Sequence, residues 1–454
     1  MKTSIKTYHP FNGNHLETYT MDSESKLKEK LKLADSTFKT WKQLEIKTRV
    51  ALMQNLANEL HQNKTELSLL ITKEMGKPIA ESRAEIEKCI YLIDFYIQNS
   101  DHFLQDDIIA TEAHESFISY DPLGCILAVM PWNYPFWQVF RFAVPTLAAG
   151  NVALLKHASN VTGCAIAIEK LFLNAKFPKG CFQTLVTDHE GIEKLMSNDI
   201  VKAVSLTGSE KAGRKIAELA GKNLKPSLLE LGGNNACIVL KDADLDRHIE
   251  TIVKARMQNS GQSCIAAKRF IVVEDIYDDF IEKFTSKVKA LNYGNPLEDD
   301  TTISCLARED LAETLEKQVQ RSIDLGAKVT LGNTRDGAYF QPTILTNVTA
   351  EMPVFKEETF GPVAAIIKVQ SEDEAYTMAS KYKFGLGTMV FTSDYDAALQ
   401  RTSEIEDGAF FINEMVKSDP RLPFGGTKIS GYGRELSKEG MLAFVNRKTV
   451  YINK

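Results

Sequence analysis

The chain has 454 residues, 44% of them hydrophobic and 25% charged, with a formal net charge of -6. That is enough for two or three domains around a large core. A mildly acidic chain without a block of like charges argues against nucleic acid or an anionic membrane as partner. The seven cysteines, at 89, 125, 164, 181, 237, 264 and 305, are odd in number and form no CxxC; the eight histidines form no HExxH. We therefore expect free thiols in a reducing compartment and no metal site. The opening MKTSIKTYHPFNGN lacks an apolar core, so no secretory signal is expected and a cytoplasmic location follows by default. The greasiest stretch, 124–155, is interrupted by Asn133, Gln138 and Arg141 and is too polar to span a membrane.

Residues 23–100 read as helical. Ser23 or Ser25 can cap a helix reaching Trp41, and further helices fit 47–62, 64–74 and 77–98, with Gly76 and Pro78 punctuating the last two. Residues 115–121 alternate apolar and polar, as a hairpin strand does. From 124 onward strands alternate with helices: strands at 125–130, 152–155, 182–186 and 201–206, helices at 136–149, 162–175, 192–196 and 210–220. This alternation implies a parallel α/β sheet. A second series of the same kind runs from 236 to about 413. The tail 444–453 is strand-like and suited to pairing with 115–121.

Several turns carry candidate chemistry. Cys264 sits in the small, polar stretch Gly261-Gln262-Ser263-Cys264, between a helix at 245–257 and a strand at 270–273. Backbone amides can approach its sulfur there, and the residue is either a nucleophile or a buried free thiol. Glu230 stands beside Gly232 and Gly233, as a base or as an ordinary paired carboxylate. Asn133 lies in a turn fixed by Pro131 and Pro135, where its amide either satisfies the turn or donates to an oxyanion. Thr207-Gly208-Ser209 opens a helix and offers an anion site, although the full GxGxxG fingerprint is missing. Lys156 ends a strand, either as a plain surface lysine or at the edge where open α/β sheets bind ligands. Arg141, in an otherwise apolar helix, either pairs with a carboxylate or faces a cavity and binds an anion.

Taken together the motifs PWNYP (131–135), LLKHAS (154–159), SLTGSE (205–210), LLELGG (228–233), GQSC (261–264), EETFGP (357–362) and PFGGTKISGYGRE (423–435) resemble the aldehyde dehydrogenase superfamily. Their order matches the family, as does the 34-residue step from Glu230 to Cys264. KHASN, GQSCIAAKRF and the stretch 417–421 are most similar to bacterial succinate-semialdehyde dehydrogenases. The resemblance implies an α/β fold with two parallel-sheet domains and a β oligomerisation arm. Residues 1–105 and 124–229 would form the dinucleotide-binding domain, 230–436 the catalytic domain, and 106–123 with 437–454 the arm of a homodimer or homotetramer.

The resemblance further implies roles. Cys264 attacks the aldehyde, Asn133 and the Cys264 amide hold the oxyanion, and Glu230 activates the water that hydrolyses the thioester. The cofactor, NADP or NAD, would touch Trp132, Lys156, Ser159, Gly208, Ser209, Gly213 and Leu231, with Glu358 on the nicotinamide ribose and Phe360 beside the ring. Ser159 stands where strict NAD users carry a glutamate, which makes NADP acceptable. Arg141 and Ser418 would hold the distal carboxylate of succinate semialdehyde. Gln258 stands where some such enzymes have a second arginine. Ser304-Cys305 replaces a usual Gly-Pro and reads as a loop change away from the chemistry. The competing readings are a broad-specificity aliphatic aldehyde dehydrogenase, a cysteine hydrolase, an acylating relative that uses coenzyme A, and a non-catalytic binding protein on the same fold. The expected partners are a small-molecule aldehyde and further copies of the chain in a homodimer or homotetramer, with no nucleic acid and no membrane.

Overall fold

The computed structural model describes residues 3–454; the first two positions of the expected cofactor segment lie outside them. Two α/β sheets organise the chain. The first has strand order Gly431–Tyr432, Ser227–Glu230, Val201–Thr207, Cys125–Met130, Val152–His157, Phe182–Thr184. All neighbours are parallel except the short first strand. The second runs Lys328–Leu331, Thr343–Thr346, Val363–Val369, Ala267–Val273, Asn235–Val239, Thr388–Phe391, Phe410–Ile412, with only the first strand antiparallel. Central strands such as Asn235–Val239 and Ala267–Val273 are buried along their whole length. Helices cover both faces of such sheets, which is why these strands read as unbroken apolar runs rather than alternating ones.

The expected helices form, with ends shifted by a few residues. Ser23 is the cap of Glu24–Trp41, its Oγ accepting from the Lys26 N–H at 3.2 Å. The helix expected at 77–98 runs over Ile79–Phe103. The first 20 residues contain an unexpected hairpin, Ser4–Tyr8 with His15–Thr20. The tail pairs as its pattern predicted: Val445–Ile452 is antiparallel to Glu115–Pro122, in register from Val445↔Pro122 to Ile452↔Glu115. Asp107–Ile108 completes this three-stranded sheet. Among the described residues no helix is long and apolar enough to cross a membrane.

The strands place the motifs. Cys125–Met130, Val152–His157, Val201–Thr207 and Ser227–Glu230 run parallel, so their C-terminal ends bring PWNYP, KHAS, TGSE and LELGG to one edge of the first sheet, where open α/β sheets bind ligands. Leu231 N–H donates to Ser430 O at 2.9 Å, and Ser430 Oγ to Gly232 O at 2.7 Å. These bonds lock the Glu230 segment to the last motif, 200 positions away in sequence by order of magnitude but adjacent in space.

Candidate active site

Cys264 follows a turn that the backbone does not adopt spontaneously. Asn259, Ser260 and Gly261 have φ of 57°, 51° and 74°. For the two non-glycine residues this costs on the order of 1–2 kcal/mol each, so other contacts must hold them. Glu81 Oε2 accepts from the Asn259 N–H at 2.8 Å, and Asn259 Nδ2 donates to Asn133 O at 2.9 Å and Gln262 O at 3.1 Å. Ser260 Oγ donates to Ser304 O and accepts from Ser304 N–H, both at 3.1 Å. The Ser304-Cys305 segment is therefore not remote from the chemistry: the Ser304 backbone holds the cysteine turn, while its side chain donates to Gly294 O. At Gly261 a Cβ would stand 2.3 Å from Gly361 O, which excludes any other residue.

The Asn133 turn is held with similar care. Glu85 Oε1 accepts from the N–H groups of Phe136 at 2.8 Å and Trp137 at 3.0 Å, capping the helix Trp137–Ala148. Its other oxygen pairs with the buried Lys77. His157 Nε2 meets Pro135 O at 2.9 Å, and burial pushes its pKa down to about 4, so the ring is neutral. Asn133 Nδ2 donates to Gln262 O at 3.2 Å, which puts the amide beside the cysteine turn. Its Oδ1 is buried and has no partner.

Cys264 lies on the wall of two cavities of about 380 Å³ each. Gln138 is the other residue they share. One cavity carries Trp132, Asn133, Gly208, Ser209, Leu231, Glu358 and Phe360, seven of the residues expected to touch the cofactor or the oxyanion. The Trp132 and Phe360 rings meet edge to face at 5.7 Å. Lys156 and Ser159 lie farther along the sheet edge: Lys156 half-buried at the end of its strand, Ser159 exposed in the next turn. No carboxylate stands at position 159, and Lys156 makes no ion pair among the described residues. The helix Glu210–Lys222 begins at Ser209, leaving N-terminal amides for a phosphate. A phosphorylated dinucleotide fits this donor set. Gly213 does not line the cavity: a Cβ there would meet Leu231 Cδ1 at 2.5 Å, so its role is to let Leu231 pack onto the helix.

Two cations absent from the sequence reading belong to this side. Lys268 Nζ donates to Cys264 O at 2.8 Å and Glu358 at 2.9 Å, and also to Gly233 O. Its place four residues after the cysteine was the only signal. Arg308 stands 5.8 Å from the Trp132 ring. Burial raises the pKa of the Cys264 thiol; Lys268 and Arg141 oppose the rise and the Glu358 and Glu230 carboxylates add to it.

The other cavity carries Arg141, Gln258 and Ser418 of the expected substrate residues, and Lys88, Trp137 and Phe424 besides. Arg141 meets both partners its sequence left open. It lines the cavity, and it forms a buried ion pair with Glu435. Its guanidinium lies 4.6 Å from the Phe424 ring centroid. Phe424 and Glu435 exchange backbone hydrogen bonds at 2.8 and 2.7 Å, which fixes the carboxylate under the arginine. Glu435 ends the last motif but drew no role from sequence, because an acidic residue in a loop usually faces water.

Glu230 is in neither cavity. A Cβ at Gly425 would lie 2.6 Å from its Oε1, and both carboxyl oxygens are buried without a hydrogen-bond partner among the described residues. Burial holds its pKa well above the ordinary carboxylate range, Glu435 adding to the rise while Arg141 and Arg434 oppose it. Thiol and amide are thus brought together on one cavity, while the Glu230 carboxyl lies against Gly425, near enough for its charge to act on Cys264.

The chain is similar over its whole length to known proteins. The aldehyde dehydrogenase family profile matches residues 1–450. A probable succinate-semialdehyde dehydrogenase [NADP(+)] of Synechocystis sp. is 45% identical over 452 residues, covering 99% of this chain and 100% of the relative. A succinate-semialdehyde dehydrogenase [NADP(+)] of Mycobacterium bovis is 41% identical over 454 residues, 99% of each. The crystal structure of succinic semialdehyde dehydrogenase from Streptococcus pyogenes, in complex with NADP+, superposes with a TM-score of 0.97 at 36% identity, covering 99% of this chain and 100% of that one. With the fold, the cysteine turn and the two cavities, these matches show that the chain belongs to the aldehyde dehydrogenase family.

Proposed function

We propose that the protein oxidises succinate semialdehyde to succinate with NADP. The observation that carries this is the position of Cys264 on both cavities. One cavity offers dinucleotide contacts; the other has cationic and hydroxyl groups for an anionic aldehyde. The names of the relatives and the cofactor of the Streptococcus pyogenes structure support the same assignment.

In this reading Cys264 gives its proton to solvent water, and its Sγ bonds to the aldehyde carbon as the C=O π pair moves onto the oxygen. Asn133 Nδ2 and the Cys264 N–H donate to the oxyanion, and losing one such donor costs about 3 kcal/mol. NADP, when bound, supplies the hydride acceptor. A water attacks the resulting thioester, Glu230 takes its proton, and the C–S bond breaks to release the acid and restore the cysteine. Glu230 must swing from Gly425 toward Cys264 to do this, and leaving the buried position removes the desolvation that disfavours its charged, proton-accepting form there. Arg141 pairs with Glu435, whose carboxyl adds to the raised pKa of Glu230, and forms part of the substrate wall with Ser418.

A cysteine hydrolase would need a histidine base. His157 is committed to Pro135 O, and no histidine is among the described residues lining either cavity. A panel of succinate semialdehyde, butanal and propanal with NADP and NAD tests the proposal. We expect kcat/KM to be highest for succinate semialdehyde with NADP. Equal values for the three aldehydes would replace it with the broad-specificity reading, and aldehyde-independent turnover would refute it.

A further inference from the structure

We propose that the substrate's distal carboxylate is seated by Lys88 Nζ and Ser418 Oγ, with Lys88 supplying the charge. This rests on the semialdehyde reading above and names a residue outside every motif that carried it.

Four cations line the cavity on the substrate side of Cys264: Lys88, Arg141, Lys254 and Lys417. Arg141 is offset by Glu435, and Lys417 by Glu414 at 2.8 Å. Lys254 is exposed. Lys88 differs from all three. It comes off the helix Ile79–Phe103, is half-buried, and has no ion pair among the described residues. Its ammonium lies 4.0 Å from the Trp137 ring centroid and donates to Ser418 Oγ at 2.9 Å, a neutral partner. The nearest carboxylates are engaged elsewhere: Glu85 with Lys77 and two backbone amides, Asp419 with Arg421.

An ammonium has three N–H donors, and a desolvated one without a counter-ion is unfavourable. An incoming carboxylate removes that cost. Ser418 is buried, and its Oγ accepts from Lys88, so its own hydroxyl proton is free to point into the cavity. Lysine and serine therefore offer two converging donors on the cavity wall that also holds Cys264. Lys88 was illegible in sequence because it sits among Glu81, Glu85 and Glu87 on a helix whose polar positions read as solvated.

Burial lowers the pKa of Lys88 to about 8, with the Arg141 charge acting in the same direction and Cys89, Glu85 and Asp419 opposing. The seat should thus lose its charge as pH rises through about 8. The other charged groups on this cavity are Glu81, Lys254 and the Lys417–Glu414 pair.

The test compares Lys88→Met, Lys88→Arg and wild type as holoenzymes, with succinate semialdehyde and with butanal, whose turnover serves as the control for folding. Lys88→Met should raise KM for succinate semialdehyde roughly 100-fold, the loss of one charge-assisted contact, and change kcat/KM for butanal less than about threefold. Lys88→Arg should recover most of the difference. In wild type, KM for succinate semialdehyde should climb above about pH 8 while that for butanal does not. If wild type prefers succinate semialdehyde but Lys88→Met affects both aldehydes alike, or neither, the seat is refuted and the semialdehyde reading stands. If wild type shows no preference, both fall together.

Discussion

Replacing Arg141 by Met should destabilise the protein in a pH-dependent way. The Arg141 and Glu435 side chains are only 2% and 4% exposed, so removing the cation leaves a carboxylate buried and uncompensated. Breaking such a pair costs about 3–5 kcal/mol. The methionine stem refills much of the space beside Phe424, so the charge dominates. Protonation of Glu435 limits the loss. Burial already holds that carboxyl above its ordinary range, with Arg141 as the main opposition, so its pKa rises further in the variant. A folded state that binds a proton the unfolded state has released is favoured at low pH and weakened as pH rises. The slope for one group is at most about 1.4 kcal/mol per pH unit. Urea unfolding of wild type, Arg141→Met, Glu435→Gln and the double variant, at about pH 5.5 and about pH 8, measures this through the three tryptophans. Arg141→Met should lose most at the higher pH, and Glu435→Gln on the same background should restore at least about 1–2 kcal/mol. An equal loss at both pH values, or a double variant no better than Arg141→Met, would refute the argument that Glu435 is the stranded charge.

Three further outcomes test the site. Asn133→Ala should lower kcat about 100- to 1000-fold with little change in KM; a loss below tenfold would remove it as an oxyanion donor. Because burial raises the Cys264 pKa, alkylation of the cofactor-free enzyme by iodoacetamide should accelerate steadily from about pH 7 to about pH 9; a flat profile, checked against Cys264→Ser, would mean the thiolate already dominates at neutral pH. Ser159→Glu should place a carboxylate beside the 2′-phosphate position and shift the NADP-to-NAD ratio of kcat/KM by at least about 10-fold toward NAD, about 1.4 kcal/mol; an unchanged ratio would detach Ser159 and Lys156 from the adenosine end.

Much of the molecule was legible before any coordinates. Alternating strand and helix patterns from 124 onward specify parallel α/β sheets, since crossover geometry leaves few alternatives. The pairing of the tail with 115–121 was suggested by the alternation of the one and the strand-like composition of the other. The turns carrying Cys264, Asn133 and the Gly208 helix were visible because glycine, proline and small polar residues mark backbone that must be shaped.

What the linear chain could not specify is which charges meet. Arg141 and Glu435 are nearly 300 positions apart, by order of magnitude, yet a charge is tolerated in that helix because the two are paired. Lys88 and Ser418 meet across a separation of 330 residues. Nothing in the local pattern of either predicts the partner. Ser304, read as remote, holds the turn before the nucleophile. Local propensity and periodicity are properties of neighbouring residues, so they determine elements and turns. Charge compensation in a desolvated cavity depends on three-dimensional distance and burial, and only the folded chain assigns Arg141 to Glu435 and leaves Lys88 without an anion among the described residues.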